Sequence, residues 1–209
     1  LHLSLRRQRQ MCIRDRSKPT ETVQEVSAVN GTGIVLPSHF TERKITDPST
    51  ARDAINDVAD TLGIVSVEDE LGTADCSTVL GDTYYSFPQV YRGIPVYGRK
   101  VTVSADADSE AALLTSGFYP IENLSVEAKI TQNDAEKIVA GLYPGEADIY
   151  VNNLVIFSLD KTNPELAWKI SVHQNNSWES VFLSAVDGRA LKTFSNELTD
   201  NESSSNRFT

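Results

Sequence analysis

Nucleophilic catalysis with a histidine base needs an imidazole close to a serine or cysteine, and the chain offers only His2, His39 and His173. No G-x-S-x-G turn is present to expose a serine nucleophile. A set built on His173 with a serine and an aspartate is the one catalytic arrangement the residues leave open, as a small enzyme. Metal chemistry has less to work with. Neither H-E-x-x-H nor C-x-x-C occurs, so the tight ligand spacing of a zinc site is missing. The acidic runs "VEDE" (67–70) and "DADSE" (106–110) lack the twelve-residue calcium-loop pattern and read as solvated turns. "GTG" at 31–33 is followed by nothing resembling a phosphate-binding loop. The expectation is a chain without catalytic residues, bound metal or cofactor.

Charge narrows the partners. Against 29 Asp and Glu stand 19 Lys and Arg, a net charge of −10, which repels phosphate backbones and anionic lipid surfaces and argues against nucleic-acid or membrane binding. No run approaches the ~18 apolar residues of a membrane-spanning helix. The first sixteen residues, "LHLSLRRQRQMCIRDR", carry five of the basic residues and one acid. Their apolar stretch is too short, and too early, for a secretory signal. "MCIRDR" resembles translated sequencing-adapter sequence, so residues 1–16 are read as a non-native segment and the true N-terminus is expected to be missing. Cys76 then stands alone, without a partner for an internal disulfide.

The elements follow from periodicity. Residues 17–42, rich in Ser, Thr, Pro and Gly, read as an extended lead-in. Asp47 is a good N-cap and Pro48 suits the first helical turn. Ala51, Ala54, Ile55, Val58, Ala59 and Leu62 then form one apolar face, and Gly63 ends a helix over 48–62. Residues 72–83 read as a polar, turn-rich region. "YYSFPQVYRGIPVYGRKVTV" (84–103) alternates as two strands about a turn at Arg92-Gly93; its two prolines place it at a sheet edge, with Pro88 on an edge or bulge and Pro95 at a strand start. A strand is expected in 111–120. Thr131 and Asp134 are spaced as a capping box for a second helix with stripe Ala135, Ile138, Val139 and Leu142. Strands follow at 150–160, 165–174 and 178–186, the last joined to "RALKTF" by a tight Asp187-Gly188 hairpin. Trp168, alternating with Leu166, Ile170 and Val172, reads as core, while Trp178 reads equally as a turn-side anchor or a contact residue. Residues 196–209 form a polar linker. The predicted fold is α+β, two modules, each a helix packed on an antiparallel β-sheet.

Tyr85, Phe87, Gln89, Tyr91, Gly93, Ile94, Pro95, Val96, Tyr97 and Gly98 resemble the FTP motif of fungalysin and thermolysin propeptides, an aromatic-x-Phe-x-Gln-x-Tyr-x-Gly-Ile-Pro-Val-aromatic-Gly run. The later half resembles the PepSY domain that follows it, with Trp168 in its "LAW" element and Asp187 and Gly188 in its terminal hairpin. The resemblance divides the chain into an FTP-like domain (43–120) and a PepSY-like domain (121–195). It implies the pro-region of a secreted thermolysin-like zinc metalloprotease, acting as intramolecular chaperone and inhibitor of its cognate catalytic domain. That domain, with its zinc and calcium, is expected to be missing from this chain. The alternative is a free-standing inhibitor or binding module that meets proteases in trans. The motif residues read either as structural or as partner contacts.

Overall fold

Asp47 starts the first helix as the sequence dictates: its carboxylate accepts from Ser49 N–H at 2.8 Å and Thr50 N–H at 2.9 Å, and the Thr50 hydroxyl accepts from Asp47 N–H in return. The computed structural model describes residues 24–28, 31–158 and 163–195. Helix α1 spans Pro48–Asp57 and a break at Val58 separates it from α2, Ala59–Leu62, which ends at Gly63. A further short helix, α3 (Val67–Glu70), starts at Ser66, whose hydroxyl accepts from Asp69 N–H. The expected 48–62 helix is thus two pieces. Ala51, Ala54, Ile55 and Leu62 are fully buried, as their periodicity requires.

Ten strands among the described residues hydrogen-bond into one large sheet, so the chain is mixed α/β with few helices. β1 (Gln24–Ala28) pairs with β2 (Gly31–Pro37), and β2 pairs with β6 (Ala111–Ser116). The extended lead-in therefore enters the sheet, with Leu36 in the core. β3 (Asp75–Val79) and β4 (Asp82–Tyr91) form a hairpin, and β4 pairs along β5 (Ile94–Ala105), whose far half also pairs with β6. Beyond the bundle of strands around β5 come β7 (Asp148–Phe157), β8 (Glu165–Gln174), β9 (Ser177–Ser184) and β10 (Ala190–Ser195), all antiparallel to one another. One parallel bridge, Val96 to Ile156, joins β5 to β7 and makes the sheet continuous. α4 (Gln132–Leu142), capped by Thr131, lays Ala135 and Val139 on β8 and β9.

Four expectations change here. The 84–103 hairpin lies inside the sheet, between β3 on one side and β6 and β7 on the other. Pro88 accompanies a bulge, one of the two places expected of it, and Pro95 stands at the start of β5, as expected. The edge strand is β3, in a region read as turns; it is exposed along its whole length and so carries no burial alternation to betray it. Leu142 is half exposed, outside the apolar stripe of α4. The segment between β9 and β10 is a five-residue turn, 185–189, in place of a two-residue hairpin. The expected non-native segment 1–16 and polar linker 196–209 lie outside the described residues.

Candidate functional site

Pro88 opposes Lys100 and Val90 opposes Pro95, so residues 96–99 of β5 face Gln89 alone on β4. This wide bulge is the centre of the 84–103 stretch, and it answers for the prolines and glycines within it. Pro88 O accepts from Gly72 N–H at 2.8 Å. A strand residue turns its N–H and C=O to the same side, so the donor Pro88 lacks points away from β5, beyond the last β3–β4 pair, Asp75 to Ser86. Tyr91 and Ile94 close a two-residue turn in which Arg92 and Gly93 both have positive φ, 49° and 79°. Gly98 sits in the bulge at φ 69°, with nothing within 4 Å of where a Cβ would lie. Backbone conformation, and not close approach, selects glycine there.

The bulge distributes the motif side chains over three cores. Tyr85 and Phe87 are buried with α1, at 5% and 1% exposure, and burial raises the phenol pKa of Tyr85. Tyr91, Ile94 and Val96 gather with Tyr119, Ile121 and Ile156 at the junction between β5 and β7. Tyr97 passes to the far face of the β7–β9 sheet, where its ring lies 4.5 Å from Phe182 and 6.0 Å from Phe157. Gln89, 2% exposed, is the polar pin of the junction: its amide donates to Tyr119 O at 2.7 Å and its Oε1 accepts from Tyr119 N–H at 3.3 Å. A buried amide satisfied on both atoms in this way fixes the exit of β6 against the bulge. Pro95 stays exposed and borders a groove described below.

Trp168 and Gly188 meet around Ile130, ahead of α4. Trp168 is partly buried and donates its indole N–H to Ile130 O at 2.9 Å. Gly188 has φ 76°, and a Cβ on it would come within 2.9 Å of Ile138 Cδ1. Asp187 shapes the turn by accepting from Arg189 N–H at 3.1 Å, and its carboxyl is held below the usual range by that bond, Ser184 and Arg189. His173 Nδ1 lies 3.5 Å from Asp148 Oδ2 and its ring stacks on half-exposed Trp178 at 4.7 Å. The Asp106 carboxylate, in the "DADSE" turn, accepts from Asp108 N–H and Glu110 N–H and so caps its own loop.

Where the bulge lifts β5 away from β4, a groove of about 560 Å³ opens on the sheet face opposite the helices. Lys100 alternates with helix-facing Val101, and Lys169 with helix-facing Trp168 and Ile170, so both lysines lie on the open face. Arg99 lines the groove too; it is 6% exposed, 5.3 Å from the Tyr119 ring, and burial lowers its pKa. Along one rim run Asp75 to Ser77 of β3. None of these cations stood out in the sequence, because they come from β5 and β8, and only a bulge that spacing does not reveal brings them together. Pro88, read as lying on an edge or a bulge, and Gly98 were its visible traces.

Residues 76–118 match the family model described as the Fungalysin/Thermolysin Propeptide Motif. No curated protein matches the chain. Among solved structures, the Bacillus megaterium YpeB C-terminal domain is similar at 13% identity and a TM-score of 0.40, over 86% of this chain and 91% of that one. Residues 76–118, from the edge strand β3 through the bulge to Phe118 beyond β6, carry the FTP propeptide motif.

Proposed function

We propose that this chain is the pro-region of a secreted thermolysin-like zinc metalloprotease, which assists folding of its catalytic domain and inhibits it while attached. The supporting observation is the propeptide motif at 76–118. In this reading the α1 side and the α4 side are two modules, FTP-like (43–120) and PepSY-like (121–195), coupled through the Val96–Ile156 bridge and through Tyr119, which Gln89 holds where it packs with Ile121 and Ile156. The chain itself breaks no bonds; zinc and calcium belong to the catalytic domain. Tethering makes modest affinity sufficient, since a flexible linker supplies an effective concentration on the order of mM and keeps a contact of about μM affinity occupied. Secreted proteases persist through high unfolding barriers, and a preformed surface that binds the folding transition state offsets the slow folding such barriers bring.

The test is inhibition and refolding in trans. Purified residues 17–209 should slow a thermolysin-like protease at sub-μM concentration and raise the refolding yield of its denatured catalytic domain. Full protease activity at ~10 μM of the chain, with no gain in refolding, would remove the proposal.

A further inference from the structure

β7, β8 and β9 come together at one end in a corner of exposed rings. Asp148, His173 and Trp178 stand opposite one another across the three strands, and Tyr150 follows Asp148 on the same face, because the intervening Ile149 and Val172 pack in the core with α4. Trp178 and Tyr150 are 45% and 53% exposed, yet their rings lie 5.9 Å apart and within 29° of parallel. His173 stacks on the same indole from β8. On the other side the ladder to β10 stops at Ser195 and Glu179, one residue short of Trp178, so no described residue of β10 stands opposite the indole. Rings held together in water are contact surface, since tryptophan and tyrosine lose little rotamer freedom when a partner covers them.

Charge says what kind of partner. Beside the rings a cleft of about 400 Å³ is lined by Glu146, Asp148, His173 and Gln174, the last donating to Pro144 O at 3.1 Å. The segments that build this corner, 143–153 and 170–180, contain no lysine or arginine. Among the described residues Glu146 makes no ion pair, and Asp148 meets only the His173 imidazole. Two strand spacings, ~10 Å, separate Asp148 from Trp178, and Tyr150 reaches from β7 to the indole, so rings and carboxylates frame one spot above His173. Aromatic faces attract cations through their quadrupole, and open carboxylates attract them through charge.

We propose that this corner binds an arginine side chain of a partner peptide or protein, its guanidinium plane laid on Trp178 and Tyr150 with the Asp148 and Glu146 carboxylates beside it. Arginine fits better than lysine, because a planar guanidinium stacks on a ring while its edge still donates to a carboxylate. The corner stands apart from the 76–118 motif, so such a partner fits it whether or not a protease domain supplies the arginine.

The experiment titrates the isotope-labelled full chain with the acetylated, amidated pentapeptide Gly-Arg-Gly-Arg-Gly and with its Lys-for-Arg counterpart, following the indole N–H signals of the two tryptophans by NMR. The Trp178 signal should move with a Kd on the order of 1 mM at low salt, while that of Trp168, whose indole is bonded to Ile130 O, stays in place. The lysine peptide should bind about threefold more weakly, and both should weaken as ionic strength rises. Tyr150→Ala changes an exposed position and keeps the Trp178 probe; it should weaken arginine binding about threefold. Glu146→Gln with Asp148→Asn should weaken it about tenfold. No saturating shift at about 10 mM peptide, equal response to the two peptides, or equal movement of both indole signals would overturn the proposal. So would a dimer of the chain alone that Tyr150→Ala dissolves, since the corner would then belong to a second copy.

Discussion

The α1 side and the α4 side of the one large sheet bury their apolar residues differently. The α1 side gathers nineteen buried residues into a single cluster on one face. The α4 side packs two buried residues of its helix, Ala135 and Val139, on four buried residues of the strands, and then builds a second core on the opposite face, where Phe157 and Phe182 stack at 4.3 Å and Tyr97 and Phe194 close around them. One side is stabilised by depth on one face, the other by thinner layers on two. Tyr97 belongs to the α1 side by sequence and to the α4 side by packing, so the bulge lends a residue from the deeper core to the shallower one.

The sharpest way to break this comparison is at the junction. Gln89→Leu removes both bonds to Tyr119 and strands buried backbone groups, a loss of about 2–4 kcal/mol. Both tryptophans, Trp168 and Trp178, lie on the α4 side, so their fluorescence reports that side alone, while far-UV circular dichroism reports both. In the native chain the two signals should share one urea midpoint. In Gln89→Leu the fluorescence midpoint should fall below the dichroism midpoint, because the thinner core gives way first. Coincident midpoints in the variant would show that the two sides do not depend on this pin.

A smaller effect separates tight packing from backbone conformation. Gly188→Ala forces a Cβ against Ile138 Cδ1 and into a left-handed conformation, costing about 2–3 kcal/mol. Gly98→Ala meets the conformational penalty in open space and should cost about 1 kcal/mol. Ile138→Val, by withdrawing the crowded methyl, should recover part of the first loss and none of the second. Equal behaviour of the two variants would mean that the turn after β9 yields freely.

Alkali should weaken the α4 side through Tyr143. Burial, then the 2.5 Å hydrogen bond to Glu179 and the charge of that carboxylate, push the Tyr143 phenol up to about 12. The unfolded chain releases this proton near the ordinary value of about 10, so the stabilisation is complete below that pH and is lost as pH rises through about 12. Urea midpoints measured from pH 9 to 12 should fall less steeply in Tyr143→Phe than in the native chain. Parallel slopes would show that the phenol titrates alike in both states.

Periodicity made α1, α4 and β8 legible, because each buries one face and the pattern of apolar residues is that face. It also showed that 84–103 was unusual, since two glycines and two prolines have few uses within strands. It could not show what they build. A bulge of residues 96–99 against one partner depends on where β7 lies, and Ile156 is sixty residues from Val96 in the chain. β3 was illegible for a different reason: an edge exposed on both faces has no burial to imprint on its sequence. The groove inherits both failures, since β3 is its rim and the bulge its opening.

The hairpin that presents β3 offers the smallest and only stabilising change. Its turn, Leu80-Gly81, holds both residues at positive φ, 55° and 98°, and Leu80 is fully exposed, so no packing offsets the strain on its side chain. Asn-Gly is the pair such a turn favours, because asparagine visits the left-handed region at lower cost. Leu80→Asn should therefore stabilise the chain by about 0.5–1 kcal/mol and raise the melting temperature by about 1–4 °C. The gain should appear equally in fluorescence and dichroism while Gln89 still joins the two sides. In the Gln89→Leu background it should move the dichroism midpoint alone, because the turn then stabilises only the side that bears it. If the fluorescence midpoint follows even there, the sheet is one cooperative unit with or without its pin.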